Sequence, residues 1–205
     1  MSATEPTYPL ISLARLRVET DGEGVTTLIA GAGCPLQCRY CINGRLLTLP
    51  GERVTAQELY DRVRIDDLYF RATGGGVTFG GGEALLHADF IARFRELCGR
   101  EWRIYAETAL SVPRSAVETA AACADGFIAD VKTWDDGIYR AYTGREASAM
   151  KDNLALLLSL AGPERVRVRI PLIPGFNDDA DRRATLAAVR ALGAERTELF
   201  EYVIR

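Results

Sequence analysis

The sequence predicts an α/β fold in which six strands alternate with helices around a parallel sheet, barrel-like or open. Three observations predict it. Short runs rich in valine, isoleucine, threonine and aromatic residues recur between amphipathic stretches along the 205 residues. Glycine-rich and polar segments follow these runs rather than precede them, as expected where ligands gather at the carboxyl ends of parallel strands. The composition, 48% apolar and 26% charged, is that of a folded protein, with no low-complexity linker or charge block to divide it. A single domain over residues 1–205 is expected.

The elements follow in order. Val25–Ala30 is apolar enough to be a buried first strand. Thr55-Ala-Gln-Glu58 is a capping-box sequence and opens a helix running to about Phe70. Gly76–Phe79 is the second strand. After His87, Phe90, Ile91, Phe94, Leu97 and Cys98 recur at helical spacing, and Gly99 closes that helix. Arg103–Ala106 is the third strand, followed by a helix begun near Pro113. Gly126–Ala129 is the fourth strand. A helix over 149–161 ends at Gly162-Pro163. Arg165–Ile173 alternates Val or Ile with Arg as a fifth strand, Asp181–Leu192 is a helix, and Thr197–Ile204 a sixth strand.

Composition excludes several functions. A net charge of -3 gives no general attraction to nucleic acid. No apolar run approaches the ~20 residues of a membrane span. The start, MSATEPTYPL, is acidic and lacks the basic-then-apolar pattern of a signal peptide, so a cytoplasmic location is expected. The one histidine, His87, rules out multi-histidine metal sites and catalysis. With 23 arginines and two lysines, Lys132 and Lys151 each stand out. Five cysteines without an export signal argue against a disulfide framework.

Three of those cysteines, Cys34, Cys38 and Cys41, fall within eight residues, in a loop directly after the first strand. The spacing is C-x3-C-x2-C, kept non-helical by Gly31, Gly33 and Pro35. Three thiolates in one short loop suit a cuboidal iron–sulfur cluster, whose irons lie close together. A four-iron cluster held by three cysteines leaves one iron free for a substrate or cofactor. A structural zinc site needs a fourth, distant ligand, and chance clustering of buried thiols is the plainest alternative. Further on, Gly74 to Gly82 flanks a strand with glycines, where the backbone can approach a ligand without a Cβ in the way. Glu83 then offers an acceptor for an ammonium group.

The cysteine loop, with Tyr40 at an aromatic position before the third cysteine, resembles that of the radical SAM superfamily. The resemblance implies a [4Fe-4S] cluster on Cys34, Cys38 and Cys41 that chelates S-adenosylmethionine (SAM) and cleaves it reductively to a 5′-deoxyadenosyl radical, with Tyr40 near the adenine. Gly81-Gly82-Glu83 matches the superfamily's GGE motif for the SAM amino group. The stretch GGGVTFGGGEALLHADF is similar to the activating enzymes of pyruvate formate-lyase and other glycyl-radical enzymes. So are Asp21-Gly-Glu-Gly24, Glu107-Thr108 (usually Asp-Thr), Asp130-Val-Lys132 and Ile173-Pro-Gly-Phe-Asn-Asp178. By that resemblance Lys132 and Arg169 lie near the SAM carboxylate. Either is also a cation at a strand end that could pair with a carboxylate. The resemblance adds a monovalent-cation site from the Glu107 and Asp130 carboxylates and the Thr108 and Ile128 carbonyls.

These readings converge on a minimal (β/α)6 partial TIM barrel of the radical SAM type. The expected activity is SAM cleavage that installs a glycyl radical on a partner enzyme, with a flavodoxin or ferredoxin as electron donor. Action on a small molecule, a peptide or SAM itself is the alternative, and a non-catalytic iron–sulfur or zinc module is the alternative of another class. The family's P-Y-H-x-x-G segment is not matched, and Val203 occupies its histidine position. A shorter wall there favours a macromolecular substrate over a free metabolite. His87 is expected at a helix start or on the surface. Cys98 and Cys123 are expected as core thiols, and Trp134 as a packing residue or at the border of the opening.

Overall fold

A computed structural model describes residues 5–202. Its strands are β1 (Tyr8–Val18), β2 (Val25–Gly31), β3 (Glu52–Val54), β4 (Gly76–Gly81), β5 (Arg103–Thr108), β6 (Gly126–Asp130), β7 (Val166–Leu172) and β8 (Arg196–Glu201). Its helices are α1 (Ala56–Val63), α2 (Asp67–Thr73), α3 (Ala88–Cys98), α4 (Arg114–Cys123), α5 (Asp136–Thr143), α6 (Ser148–Ala161) and α7 (Asp179–Ala191). All eight strands form one sheet in the order β3-β1-β2-β4-β5-β6-β7-β8. The six from β2 onward in that order pair in parallel. They are the six expected strands, and they form an open, partial barrel with β8 at one edge. The sequence reading lacked β1 and β3, which pair antiparallel at the other edge.

The two faces of the sheet differ in kind. The outer face packs on the helices through a fully buried aromatic cluster that includes Tyr8, Phe70, Phe79, Phe90, Phe94 and Trp102. Phe79 meets Tyr8 and Phe94 edge-on, each at 5.5 Å between ring centres, and burying each such ring stabilises the fold by ~1.5–3 kcal/mol. The inner face carries charge. In the parallel register Glu107 lies beside Ile128, Asp130 beside Arg169, and Arg169 beside Glu198. Neighbours in register point to the same face, so these polar side chains share the barrel interior.

The amino end of that interior is closed by the loop between β1 and β2. Asp21 is buried there, paired with Arg17, and its carbonyl accepts a hydrogen bond from the Thr78 hydroxyl on β4. Glu23 reaches Arg196 at the start of β8, 3.2 Å away. The loop thus spans the barrel from β4 to β8, and the open end is the carboxyl end.

Two further differences from the sequence reading have local causes. The single helix expected from Thr55 breaks into α1, a 3-10 turn at Arg64–Asp66 and α2. At the break Asp66 is buried, paired with Arg15 and accepting from the Thr27 hydroxyl at 2.9 Å. The capping box itself is present, with Thr55 and Glu58 satisfying each other's backbone N–H groups. Helix α5 was not expected; Asp135 caps its start and Gly144, left-handed at φ 71°, ends it. Val203 and Ile204, the end of the sixth expected strand, lie outside the described residues.

Candidate functional site

The cysteine loop leaves β2 at the open end of the barrel and is held by backbone hydrogen bonds to two other segments. Gly82 N–H donates to the Gly31 carbonyl at 3.0 Å and Glu83 N–H to that of Gly33 at 2.9 Å. Across the loop, Gln37 N–H donates to the Thr143 carbonyl at 2.8 Å and Arg39 N–H to that of Tyr142 at 3.1 Å, both in the last turn of α5. Asn43 Nδ2 reaches the Gly81 carbonyl at 2.9 Å, and Arg145 Nε the Pro35 carbonyl at 3.0 Å. The glycines of the Gly80–Gly82 turn serve this stitching. A Cβ on Gly82 would lie 2.1 Å from the Gly33 carbonyl oxygen, and Gly81 has φ 84°. The sequence reading gave these glycines to ligand approach; the close neighbour is the cysteine loop.

Cys34, Cys38 and Cys41 are free thiols, half-buried on that loop. Burial pushes the Cys34 thiol up to about 11 against a lowering hydrogen bond at the Leu36 backbone. Burial also raises Cys38, while Lys132 acts to lower it. Metal binding must therefore displace protons from these thiols. Among the described residues no group of three His, Cys, Asp or Glu side chains is drawn together tightly enough to hold a single metal ion.

Around the loop the interior supplies alternating charges. Glu83 is buried and caps the turn Ala84–His87, accepting from Leu85 N–H at 3.1 Å and Ala109 N–H at 2.8 Å. Burial raises its pKa despite these donors. Lys132 is buried, with Nζ 2.9 Å from Asp130 Oδ2 and 3.1 Å from the Tyr202 hydroxyl. Burial opposes its charge, but Asp130 and Tyr202 together outweigh this and the pKa is raised. Arg169 lies 3.5 Å from Glu107 on one side and 3.5 Å from Asp130 on the other, with its guanidinium 5.0 Å over the Phe200 ring. Burial, Asp130 and Asp21 push the Glu107 carboxyl up to about 7, with Arg169 and Arg17 opposing. Thr108 and Ile128 are buried on the adjoining strand ends, and the Thr108 hydroxyl accepts from Leu110 N–H.

Six buried side-chain polar atoms among the described residues have no hydrogen-bond partner, and four belong to this region: Asp130 Oδ1, Arg169 Nε, and the hydroxyls of Tyr139 and Tyr142. Asp130 Oδ1 and Arg169 Nε face each other as an ion pair at 3.5 Å, so the two tyrosine hydroxyls are the groups left dry, at a cost of ~1–3 kcal/mol each. Tyr40 leans over the same region, edge-on to Phe176 at 5.7 Å and 6.2 Å from Tyr142. Sequence reasoning missed Tyr139, Tyr142, Phe176 and Tyr202. The two on α5 had a signal, since tyrosines three apart followed by Thr-Gly fit the last turns of a helix.

The residues set aside behave as packing groups. His87 is half-buried in the turn before α3, edge-on to Tyr8 at 5.1 Å, and burial lowers its pKa. Cys98 and Cys123 are buried in α3 and α4, and burial pushes both thiols up to about 11. Trp134 packs against the core with Lys151 5.3 Å over its ring.

The donor set fits the group that the loop's resemblance implies. Three free thiols leave one iron of a four-iron cluster without a protein ligand, and Glu83, Lys132, Arg169 and Asp130 offer both signs of charge to an amino acid moiety beside it. Comparison with known proteins agrees. The model of the Radical SAM superfamily matches residues 28–187. A pyruvate formate-lyase-activating enzyme of Clostridium pasteurianum is 29% identical over 185 residues, covering 89% of this chain and 77% of the relative. A pyruvate formate-lyase 2-activating enzyme of Escherichia coli is 32% identical, over 76% of this chain and 64% of the relative. A (2S)-3-sulfopropanediol sulfolyase activating enzyme of Bilophila wadsworthia is also 32% identical, over 77% and 72%. The chain thus spans about two thirds to three quarters of these relatives. Streptococcus suis SuiB bound to precursor peptide SuiA matches 86% of this chain and 38% of its own, with a TM-score of 0.65 at 15% identity. Coproporphyrinogen III oxidase of Escherichia coli matches 96% and 50%, with a TM-score of 0.56 at 16% identity. At those identities the likeness is one of fold.

Proposed function

Because the chain belongs to the radical SAM superfamily, we propose that residues 1–205 form one radical SAM domain that installs a glycyl radical on a partner enzyme. Cys34, Cys38 and Cys41 would hold the [4Fe-4S] cluster. When bound, the cluster supplies the electron that cleaves SAM to methionine and a 5′-deoxyadenosyl radical. The chain's own residues bind and orient. Glu83 would accept from the SAM ammonium, Arg169 and Lys132 would pair with its carboxylate, and Tyr40 would border its adenine. Gly81 and Gly82 keep Glu83 against the cysteine loop.

The observation that carries this reading is the convergence of three free thiols, a buried lysine, a half-buried arginine and two partnerless tyrosine hydroxyls on the open end of one barrel. The glycyl-radical target rests on the activating enzymes among the relatives. A monovalent cation beside Glu107 and Asp130, with the Thr108 and Ile128 carbonyls, belongs to the same proposal. Arg169 now lies between those two carboxylates, so cation entry would accompany its swing toward the SAM carboxylate. A cytoplasmic location and a flavodoxin or ferredoxin donor complete it, since the reaction consumes an electron from outside.

The test is anaerobic reconstitution, followed by reduction with SAM and a candidate glycyl-radical enzyme from the same genome. A doublet EPR signal from the partner, growing with 5′-deoxyadenosine, is the expected result. Stoichiometric 5′-deoxyadenosine with a modified metabolite and no radical on any partner would overturn the glycyl assignment.

A further inference from the structure

The end of the barrel opposite the cysteine loop holds a second polar space. A cavity of about 150 Å³ opens there between the starts of β5, β6, β7 and β8 and the β1–β2 loop. Four arginines line it: Arg103, Arg165, Arg167 and Arg196. The carboxylates that line it are committed elsewhere. Asp125 is paired with the buried Arg95 and accepts from Ile104 N–H at 2.8 Å, so Arg103, 4.0 Å away, meets a charge already balanced. Glu23 pairs with Arg196 at 3.2 Å. Glu164 folds back over Gly162, where a Cβ would lie 2.5 Å from both of its oxygens. Arg165 gives its N–H groups to the carbonyls of Ala121, Ala124, Asp125 and Ala161, so it adds charge to the cavity but no free donor. Arg167 is half-buried and has no ion-pair partner among the described residues. It stands beside Arg196 in the β7–β8 register. Neighbours in register share a face, and like charges side by side on a sheet repel. The corner therefore carries an excess of positive charge that no side chain offsets.

We propose that this cavity is a binding site for a phosphate-type oxyanion, held by Arg103, Arg167 and Arg196. A phosphate group carries about −1.5 to −2 charges near pH 7 on three acceptor oxygens, where a carboxylate brings one charge and two oxygens. Guanidinium forks match such oxygens in pairs. The volume limits the rest of the ligand. It is about half of the ~300 Å³ at which sites for drug-sized molecules begin. The occupant is inorganic phosphate or the phosphate end of a molecule whose body stays outside. Bound there, the anion ties β5 to β8, an edge strand paired on one side only. The site shares no residue with the proposed SAM site and does not depend on it.

The experiment titrates the full chain with inorganic phosphate by isothermal calorimetry, with ionic strength held constant by sodium chloride. The expected result is saturable binding of one phosphate per chain, weakened by about tenfold or more in Arg167→Gln. Arg103 is 58% exposed in its side chain, so Arg103→Gln leaves the core untouched; it should also weaken binding, and it decides the matter if Arg167→Gln fails to fold. Ribose 5-phosphate is the second probe. Tighter binding than inorganic phosphate, lost in the same variants, assigns the site to the phosphate end of a larger ligand. Equal or weaker binding assigns it to free phosphate. A wild type that shows no saturable phosphate binding overturns the proposal. So does binding that survives both variants, or binding lost in Arg169→Gln but kept in Arg167→Gln, which would place the anion at the open end.

Discussion

Gly82→Ala tests the stitching between the Gly80–Gly82 turn and the cysteine loop. The new Cβ would sit 2.1 Å from the Gly33 carbonyl oxygen and 3.1 Å from that of Gly31. Ordinary contact begins at 3.4 Å, so the two segments must part by roughly 1.3 Å. That separation breaks the Gly82 N–H to Gly31 and Glu83 N–H to Gly33 hydrogen bonds, now 3.0 and 2.9 Å. Each is worth about 1 kcal/mol net, and the forced displacement adds ~1–3 kcal/mol. The expected loss is about 3–5 kcal/mol, read by urea unfolding of the iron-free protein, with iron uptake reduced in parallel. Two other glycines calibrate the result. A Cβ on Gly80 would meet Glu107 Oε2 at 2.5 Å, but that is the far end of a flexible side chain. Gly33→Ala meets nothing within 4 Å and suffers only from φ 88°, a cost of ~1–2 kcal/mol. If Gly82→Ala unfolds within 1 kcal/mol of wild type, by the ~1 kcal/mol scale of a single hydrogen bond, or costs less than Gly80→Ala, the stitching argument is wrong.

Other outcomes follow from the same geometry. Alanine at Cys34, Cys38 or Cys41 should abolish iron binding, while Cys98→Ala and Cys123→Ala should keep about four irons per chain; one zinc per chain without iron–sulfur absorbance contradicts this. Arg169→Ala should weaken SAM binding by about tenfold or more, ~1.4 kcal/mol per tenfold, because Glu107 would lose its cation and Lys132 alone would offset the charge of Asp130 and the SAM carboxylate. Normal affinity in isothermal titration would make Arg169 a structural ion-pair residue only. Glu107 gives a pH signature. Its folded pKa is raised from 4.5 to about 7, so the folded state holds a proton that the unfolded state has lost. Its contribution favours folding below pH 4.5 and declines as pH rises through about 7. Glu107→Gln should flatten the fall in stability of the iron-free protein across that window, and an unchanged slope in chemical denaturation refutes it.

The six parallel strands were legible because each is short, apolar and followed by a glycine or polar turn. β1 was not. Its burial is regular only over Tyr8–Leu10, and its pairing with β2 shifts register twice, so no clean alternation survives. β3 has three residues, too few for any period. The helix break at Asp66 could not be read, because the partners that bury it, Arg15 and Thr27, come from distant strands. At the candidate site, Cys34, Cys38, Cys41, Glu83, Lys132 and Arg169 could be singled out because charge or sulfur at a strand end is conspicuous in sequence. Tyr139 and Tyr142 were hidden because a tyrosine reads first as core. Only the structure reveals that their hydroxyls lack partners.

The clamp on the cysteine loop also sets an order in time. Residues 34–41 are synthesised about a hundred residues ahead of two of their backbone partners, Tyr142 and Thr143. At the usual 5–20 residues per second, about 5–20 s pass before the last turn of α5 leaves the ribosome. Until then the loop has its β2 neighbour but neither the α5 turn nor a finished barrel behind it. The thiols meet the cell as an exposed, unshaped tract before they become a receptacle. On the proposed cluster reading, iron delivery would then be a late event, acting on a folded chain rather than organising a nascent one.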